Sequence, residues 1–241
     1  MDIENQNSII GSGFISKNFE KYHEFFKKLS IKLYAAGVSN SLCNDKSLFK
    51  KDKDKIIDFS KKIPKNQTLL YFSTCSVYDP SRNNNLYVKH KLNIENFIKD
   101  NFQKFLIVRL PEVVGKNSNE HTLVNFFYNK IKNKDKFDLW SNANRSIIDI
   151  EDVVKILIDF ISNADTKKNR IINIANPKKS SAMHIVYILE NLTGTKAKYN
   201  LITKGEKNWK IDIESTEVSM KKLNITFGKN YLENVLKKYF S

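Results

Sequence analysis

Little in this chain allows covalent or metal cross-linking. It has two cysteines in 241 residues, Cys43 and Cys75. They lie far apart and match no metal-ligand spacing, so free thiols in a reducing, cytoplasmic compartment are expected. Arginine is also scarce, with only Arg82, Arg109, Arg145 and Arg170, so the net charge of +15 comes from lysines scattered along the chain. Base-edge readout leans on arginine. The charge is therefore read as compositional, and nucleic acid is not expected as a partner. No apolar run approaches the ~20 residues of a membrane-spanning helix. Residues 1–8 are polar and acidic, without the pattern of a leader. No internal repeat stands out. The length suffices for a sizeable core, as one domain with a smaller lobe.

What is present is organised around residues 69–91. Leu69-Leu70-Tyr71-Phe72-Ser73 is a short apolar and aromatic run, the pattern of a buried strand. Asp79-Pro80-Ser81 and Asn83-Asn84-Asn85 are turn chemistry. Tyr87 then opens a helical pattern through Leu92, Ile94, Phe97 and Ile98. Tyr87 and Lys91 are four apart and share a face of that helix. A nearby ammonium favours a phenolate, so the pair suits proton transfer. Thr74, just past the strand, is placed to hold a carbonyl or alcohol oxygen beside them. Tyr128 and Lys132 repeat the spacing without a Thr-bearing strand upstream and are read as a coincidence.

Two flanking segments extend the pattern. Ser8 to Phe19 reads as strand, glycine turn and helix, with the pattern G-x-G-x-x-S. Gly11 serves the turn, and Gly13 lets a pyrophosphate approach the helix N-terminus. Ser16 stands where a third glycine is usual. Residues 47–63 form an amphipathic helix stopped by Pro64, whose Lys51-Asp52-Lys53-Asp54-Lys55 stretch reads as a solvated face.

Together these pieces resemble the extended short-chain dehydrogenase/reductases, the NAD-dependent epimerase/dehydratase group that acts on nucleotide-sugars. Thr74 stands three residues before Val77-Tyr78, as in that group, and Tyr87-x-x-x-Lys91 follows on the next helix. Ile31 to Ser41 resembles the strand whose Ala35-Ala36-Gly37 loop lines the cofactor. Arg109-Leu-Pro-Glu112-Val-Val-Gly115 resembles the Arg-x-x-Asn-Val-Tyr-Gly segment, with Glu112 in place of the Asn. Asn144-Arg145 to Asp152 resembles the Arg-Asp-aromatic-Ile-His-Val-x-Asp segment, with Asp149 in place of the His. Arg170 to Pro177 resembles the Asn-Ile-Gly segment. One departure is large. The strand-helix-strand unit that normally lies between the glycine turn and Ile31 is missing, and with it the acid that binds the adenosine ribose.

The resemblance implies an α/β fold: a reduced, Rossmann-like, doubly wound parallel sheet with a small C-terminal substrate lobe. Residues 1–116 with 145–175 would form the dinucleotide domain, and 117–144 with 176–241 the lobe and a lid. It implies NAD or NADP, held by Gly11, Ser12, Gly13, Phe14, Ile15, Ala36, Gly37 and Lys91. Thr74, Tyr87 and Lys91 would be catalytic, with Tyr87 as acid/base. Arg145 would meet the substrate diphosphate or a surface ion-pair partner, and Glu112 a sugar hydroxyl or solvent. Arg109 and Tyr78 are read as structural. Asp152 is read as the cap of a helix over 153–162. The implied activity is reduction of a keto-sugar, or epimerisation, on a nucleotide-sugar, as in the compact proteins of capsule or O-antigen type. The alternative is a catalytically impaired member that binds a nucleotide-sugar or a partner enzyme. A homodimer through the Tyr87 helix is compatible with the sequence.

Overall fold

The apolar run around Leu70 lies at the middle of a parallel sheet. The computed structural model describes residues 7–117, 119–163 and 169–241. Most of the stretch read as leaderless, residues 1–6, lies outside them. The first elements are β1 (Ile9–Ile10), α1 (Phe14–Phe19), α2 (His23–Lys28), β2 (Ile31–Tyr34), α3 (Lys46–Lys62), β3 (Thr68–Thr74), α4 (Leu86–Asn101) and β4 (Phe105–Leu110). There follow β5 (Glu112–Val114), α5 (Leu123–Lys132), β6 (Lys136–Trp140), β7 (Asn144–Asp149), α6 (Ile150–Asn163) and β8 (Arg170–Asn173). The chain continues through β9 (Lys179–Ser181), α7 (Ala182–Thr193), β10 (Lys198–Ile202), α8 (Glu214–Lys222) and α9 (Tyr231–Phe240).

The main sheet has the order β1-β2-β3-β4-β8, parallel throughout. Every residue of β3 is buried, as a strand covered on both faces requires. Successive side chains alternate between two cores. Leu70 and Phe72 join Leu106, Val108, Phe19, Val153 and Leu157 on the α1/α6 face. Leu69 and Tyr71 join Ile107, Ile56, Ile94 and Ile98 on the α3/α4 face. Ile94 and Ile98 are thus committed to the core, and Leu92 and Phe97 are half-buried. The outward face of α4 carries Lys89, Asn93, Asn96 and Lys99.

Among the described residues β1 has a partner on one side only. The short helices α1 and α2, joined by a single turn at Glu20–Tyr22, lead directly into β2. The sheet therefore ends where a complete dinucleotide fold would continue toward the adenosine. At that margin Gly11 has φ +130°, and a Cβ there would lie 2.5 Å from the Ala35 carbonyl oxygen. Gly11→Ala is expected to lower stability by at least about 1–3 kcal/mol in urea denaturation, the range for backbone held in such a region. Gly13→Ala is the control. Its φ of −85° suits any residue, nothing lies within 4 Å of the added Cβ, and the urea midpoint should stay unchanged.

Helix ends follow local chemistry. Asp45 caps α3 by accepting from the Ser47 N–H at 2.7 Å, Asn85 caps α4 through the Val88 N–H at 3.0 Å, and Ser181 caps α7. Gly194, at φ +64°, closes α7. Helix α6 starts earlier than the expected 153. Asp149, not Asp152, caps its first turn by accepting from the Glu151 N–H at 2.9 Å. The Asp152 carboxylate accepts instead from the Tyr231 hydroxyl at 2.6 Å, which draws α9 onto α6. The face read as solvated also needs correction. Lys51, Lys53, Asp54 and Lys55 are exposed, but Asp52 points inward and is buried. It falls on the α3 face that also buries Phe49 and Ile56, three before and four after it.

The second core joins α5, α7 and α9 through Val124, Phe127, Ile131, Ile185, Leu189, Val235 and Leu236. A three-stranded sheet, β5-β7-β9, stands between this core and the main sheet. Met220 of α8 and Phe227 pack into the large core of the main sheet. Among the described residues no helix is long and apolar enough to cross a membrane.

Candidate active site

The carboxyl ends of β1, β2 and β3 open onto a cavity of about 510 Å³. Thr74, Tyr87, Lys91, Glu112 and Arg145 all line it, as do Ser12, Gly13, Phe14, Ile15 and Gly37. Gly11 and Ala36 do not reach the wall; Ala35 does. The order of elements explains the convergence. Thr74 is the last residue of β3, and Tyr87 and Lys91 lie one turn apart on the buried face of α4.

Thr74 accepts from the Ser76 N–H at 3.0 Å, and its side chain is near enough to the Tyr87 phenol to lower its pKa. Lys91 is held from behind. Its Nζ donates to the Tyr71 hydroxyl at 3.0 Å and to the Phe72 carbonyl at 3.2 Å, and lies 5.9 Å from the centre of the Tyr87 ring. Burial lowers the Lys91 pKa to about 8, against the pull of Asp52 and Glu95. Burial raises the Tyr87 pKa, and Glu112 adds to the rise, while Thr74 and Arg82 oppose it. The sequence expectation of a phenol eased toward ionisation by Lys91 is thus not met in the protein alone. Desolvation outweighs the cation because Lys91 is turned toward Tyr71. At neutral pH Tyr87 is a protonated phenol, the form that donates a proton.

The far wall of the cavity holds groups that sequence reasoning missed. Arg82, from the trimmed loop before Tyr87, places its Nε 3.9 Å from Asp79 Oδ2. Arg145 donates to the same oxygen through Nη1 at 3.3 Å and to the Asn144 carbonyl at 3.0 Å. Three buried N–H donors remain without a partner among the described residues: Arg82 Nη1, Arg145 Nε and Trp209 Nε1. Arg82, Arg145 and Trp209 are each over nine-tenths buried, and all three line this cavity. Buried donors are rarely left unmatched, and guanidinium groups suit phosphate oxygens. Lys179 packs its ammonium 4.6 Å from the centre of the Trp209 ring and adds positive charge. Arg82 was hidden within turn chemistry. Its scarcity, as one of four arginines, was the available signal.

Beneath the cavity, Arg109 is tied down. Its Nε and Nη2 donate to the two oxygens of Glu95 at 2.9 and 2.6 Å, and Nη1 donates to the Tyr78 hydroxyl at 2.9 Å. Glu95 also accepts from Ser73 at 2.6 Å. Tyr78 reaches Asn173 of β8 at 3.2 Å.

A parallel sheet with helices on both faces, and a cavity at its carboxyl ends beside a glycine turn, define a Rossmann-like protein. Solved structures share this architecture. UDP-glucuronic acid 4-epimerase from Bacillus cereus, in complex with UDP-glucuronic acid and NAD, superposes with TM-score 0.66 over 90% of this chain and 77% of that chain, at 17% identity. RMD from Pseudomonas aeruginosa complexed with NADPH gives 0.66 over 95% of each chain at 12% identity. UDP-glucose 4-epimerase from Thermus thermophilus, in complex with NAD, gives 0.64 over 94% of this chain and 82% of that chain at 11% identity. No curated protein matches at the level of sequence. The model of the NAD dependent epimerase/dehydratase family matches residues 52–175, just over half of the chain. The chain belongs to that family.

The family is NAD-dependent, and the cavity can be tested against the cofactor. Gly13 leaves open space at the start of α1, and Gly37 lets the loop after β2 lie directly on Lys91. The Tyr34 hydroxyl, buried in the same wall, lacks a partner among the described residues. The residues present fit the nicotinamide and pyrophosphate end. At the adenosine end no strand pairs beyond β1 among the described residues.

Proposed function

We propose that this protein is an NAD(P)-dependent oxidoreductase or epimerase of nucleotide-sugars, with keto-sugar reduction as its first assignment. One observation carries the reading. Thr74, Tyr87 and Lys91 share a cavity with Arg82, Arg145 and Trp209, each of which has a buried N–H donor without a partner among the described residues. A sugar at the first group and a diphosphate at the second would satisfy both.

The bound cofactor supplies a hydride. Thr74 orients the sugar oxygen beside the Tyr87 phenol. Tyr87 would give its proton to the carbonyl oxygen as that oxygen gains the C=O electron pair. Lys91 would hold the nicotinamide ribose and steady the phenolate left on Tyr87. Arg145 and Arg82 neutralise the diphosphate, and Glu112 accepts from a sugar hydroxyl. In epimerisation the first step runs the other way, and Tyr87 would act as base only after giving up its own proton. Both cysteines are unpaired and buried, which suits a cytoplasmic setting.

The curtailed sheet favours a second reading, a member that binds without turnover. Titration with NADH and NADPH separates the two. On the enzymatic reading both bind, with dissociation constants within about threefold of each other. Among the described residues no strand stands where its end would tell a free ribose from a phosphorylated one, so neither cofactor gains from it. Lys91→Ala should weaken both. No binding of either at millimolar concentration would leave the binding reading alone standing.

A further inference from the structure

Behind Lys91 lies a buried pair that the chemistry above does not use. Asp52 of α3 and His90 of α4 are both over nine-tenths buried, with Asp52 Oδ2 2.7 Å from His90 Nε2. The same oxygen accepts from the Val38 N–H at 3.1 Å. The His90 ring stacks on Phe49, 4.7 Å between centres. A Cβ on Gly37 would lie 3.2 Å from Lys91 Nζ and 3.4 Å from Asp52 Oδ2. Ammonium and carboxylate thus meet across the bare backbone of one glycine. Burial disfavours the Asp52 charge, but His90, Lys91 and the Val38 amide outweigh it, and its pKa falls below the ordinary carboxylate value.

We propose that Asp52 and His90 are positioning residues for Lys91: Asp52 supplies the negative charge that keeps the buried amine protonated and pins the Gly37 loop to α4, and His90 holds Asp52 in place. The inference rests on the proposed role of Lys91. The groups facing Lys91 are Asp52 from α3, Glu95 and Tyr87 from α4, Tyr71 from β3 and Tyr34 from β2. Glu95 is already satisfied by Arg109 and Ser73, so Asp52 is the acid left to balance the amine. Two negative charges oppose its desolvation, and without Asp52 one remains.

Competitive acetylation of the full chain without cofactor, with the Lys91 peptide followed by mass spectrometry across pH, reads the protonation of that amine. The wild-type midpoint is expected near about 8. In Asp52→Asn it should fall by about one unit or more, as for loss of an opposite charge at close range. If that variant does not fold, Asp52→Ser, smaller and neutral, carries the same expectation. A midpoint unchanged in the folded neutral variant overturns the role of Asp52. For His90, hydrogen exchange at the Val38 amide is the readout. His90→Leu should speed it, whereas His90→Gln, which still donates, should preserve it. Equal protection in His90→Leu and wild type overturns the role of His90. If NADH does not bind the wild type while Asp52→Asn still shifts Lys91, the cofactor reading fails and the electrostatic inference stands.

Discussion

Tyr87→Phe should cost about 10²- to 10⁴-fold in turnover, the range for loss of a positioned acid or base. The ring is packed among Cys43, Phe49 and Val88, and phenylalanine keeps that packing. Only the hydroxyl is lost, and the Thr74 side chain keeps the Ser76 N–H. Stability should therefore change by no more than about 1 kcal/mol, and NADH affinity should hold. The measurement is NADH oxidation with a nucleoside-diphosphate keto-sugar, beside a binding titration of the same sample. Tyr128→Phe is the control. It shares the spacing with Lys132, but its ring packs against Phe240, 5.0 Å between centres, in the second core. Its turnover should match the wild type. Equal loss in both variants would mean that Tyr87 acts through packing.

The largest effect on stability should come from Glu95→Ala. Glu95 is fully buried and accepts two hydrogen bonds from Arg109 and one from Ser73. Removing it leaves a guanidinium in the interior facing only Tyr78. Breaking such a pair on one side costs about 3–5 kcal/mol, a large share of the stability of a typical domain. Urea denaturation followed by circular dichroism would show it as a lower midpoint. The double variant Glu95→Leu, Arg109→Met should recover most of the loss, because no buried charge is then left unpaired. If the double variant is no better than the single one, the pair contributes through shape rather than charge. The network joins β3, α4, β4 and β8 directly under the cavity, so Glu95→Ala should also weaken cofactor binding.

The sheet was legible in the chain because its strands are covered on both faces. Leu69 to Phe72 and Phe105 to Val108 are unbroken apolar runs, and no helix of that length would need them so. Ser181 and Gly194 announced both ends of α7 by their own chemistry. The missing unit was legible from distance alone, since Gly13 and Ile31 are too close to contain it. The convergence on the cavity was legible where spacing sets it, as with Tyr87 and Lys91 on one face of α4. It was obscure where long-range partners decide. Asp52 sits among lysines, and its partners, the His90 ring 38 residues on and the Val38 amide 14 residues back, are not visible in that local pattern. Asp149 and Asp152 are equally good caps for α6, and the choice is settled by Tyr231, at the other end of the chain. Arg82 looked like part of a turn because its meaning comes from Asp79, Arg145 and Trp209 together.

The one-sided pairing of β1 has a practical consequence. A cofactor gripped at its nicotinamide would extend its purine past β1, beyond which no further strand stands among the described residues. Dyes or resin linkers attached to the adenine ring should be tolerated here. The same margin offers an engineer a place to graft the missing strands from a relative and so choose between the two nicotinamide currencies.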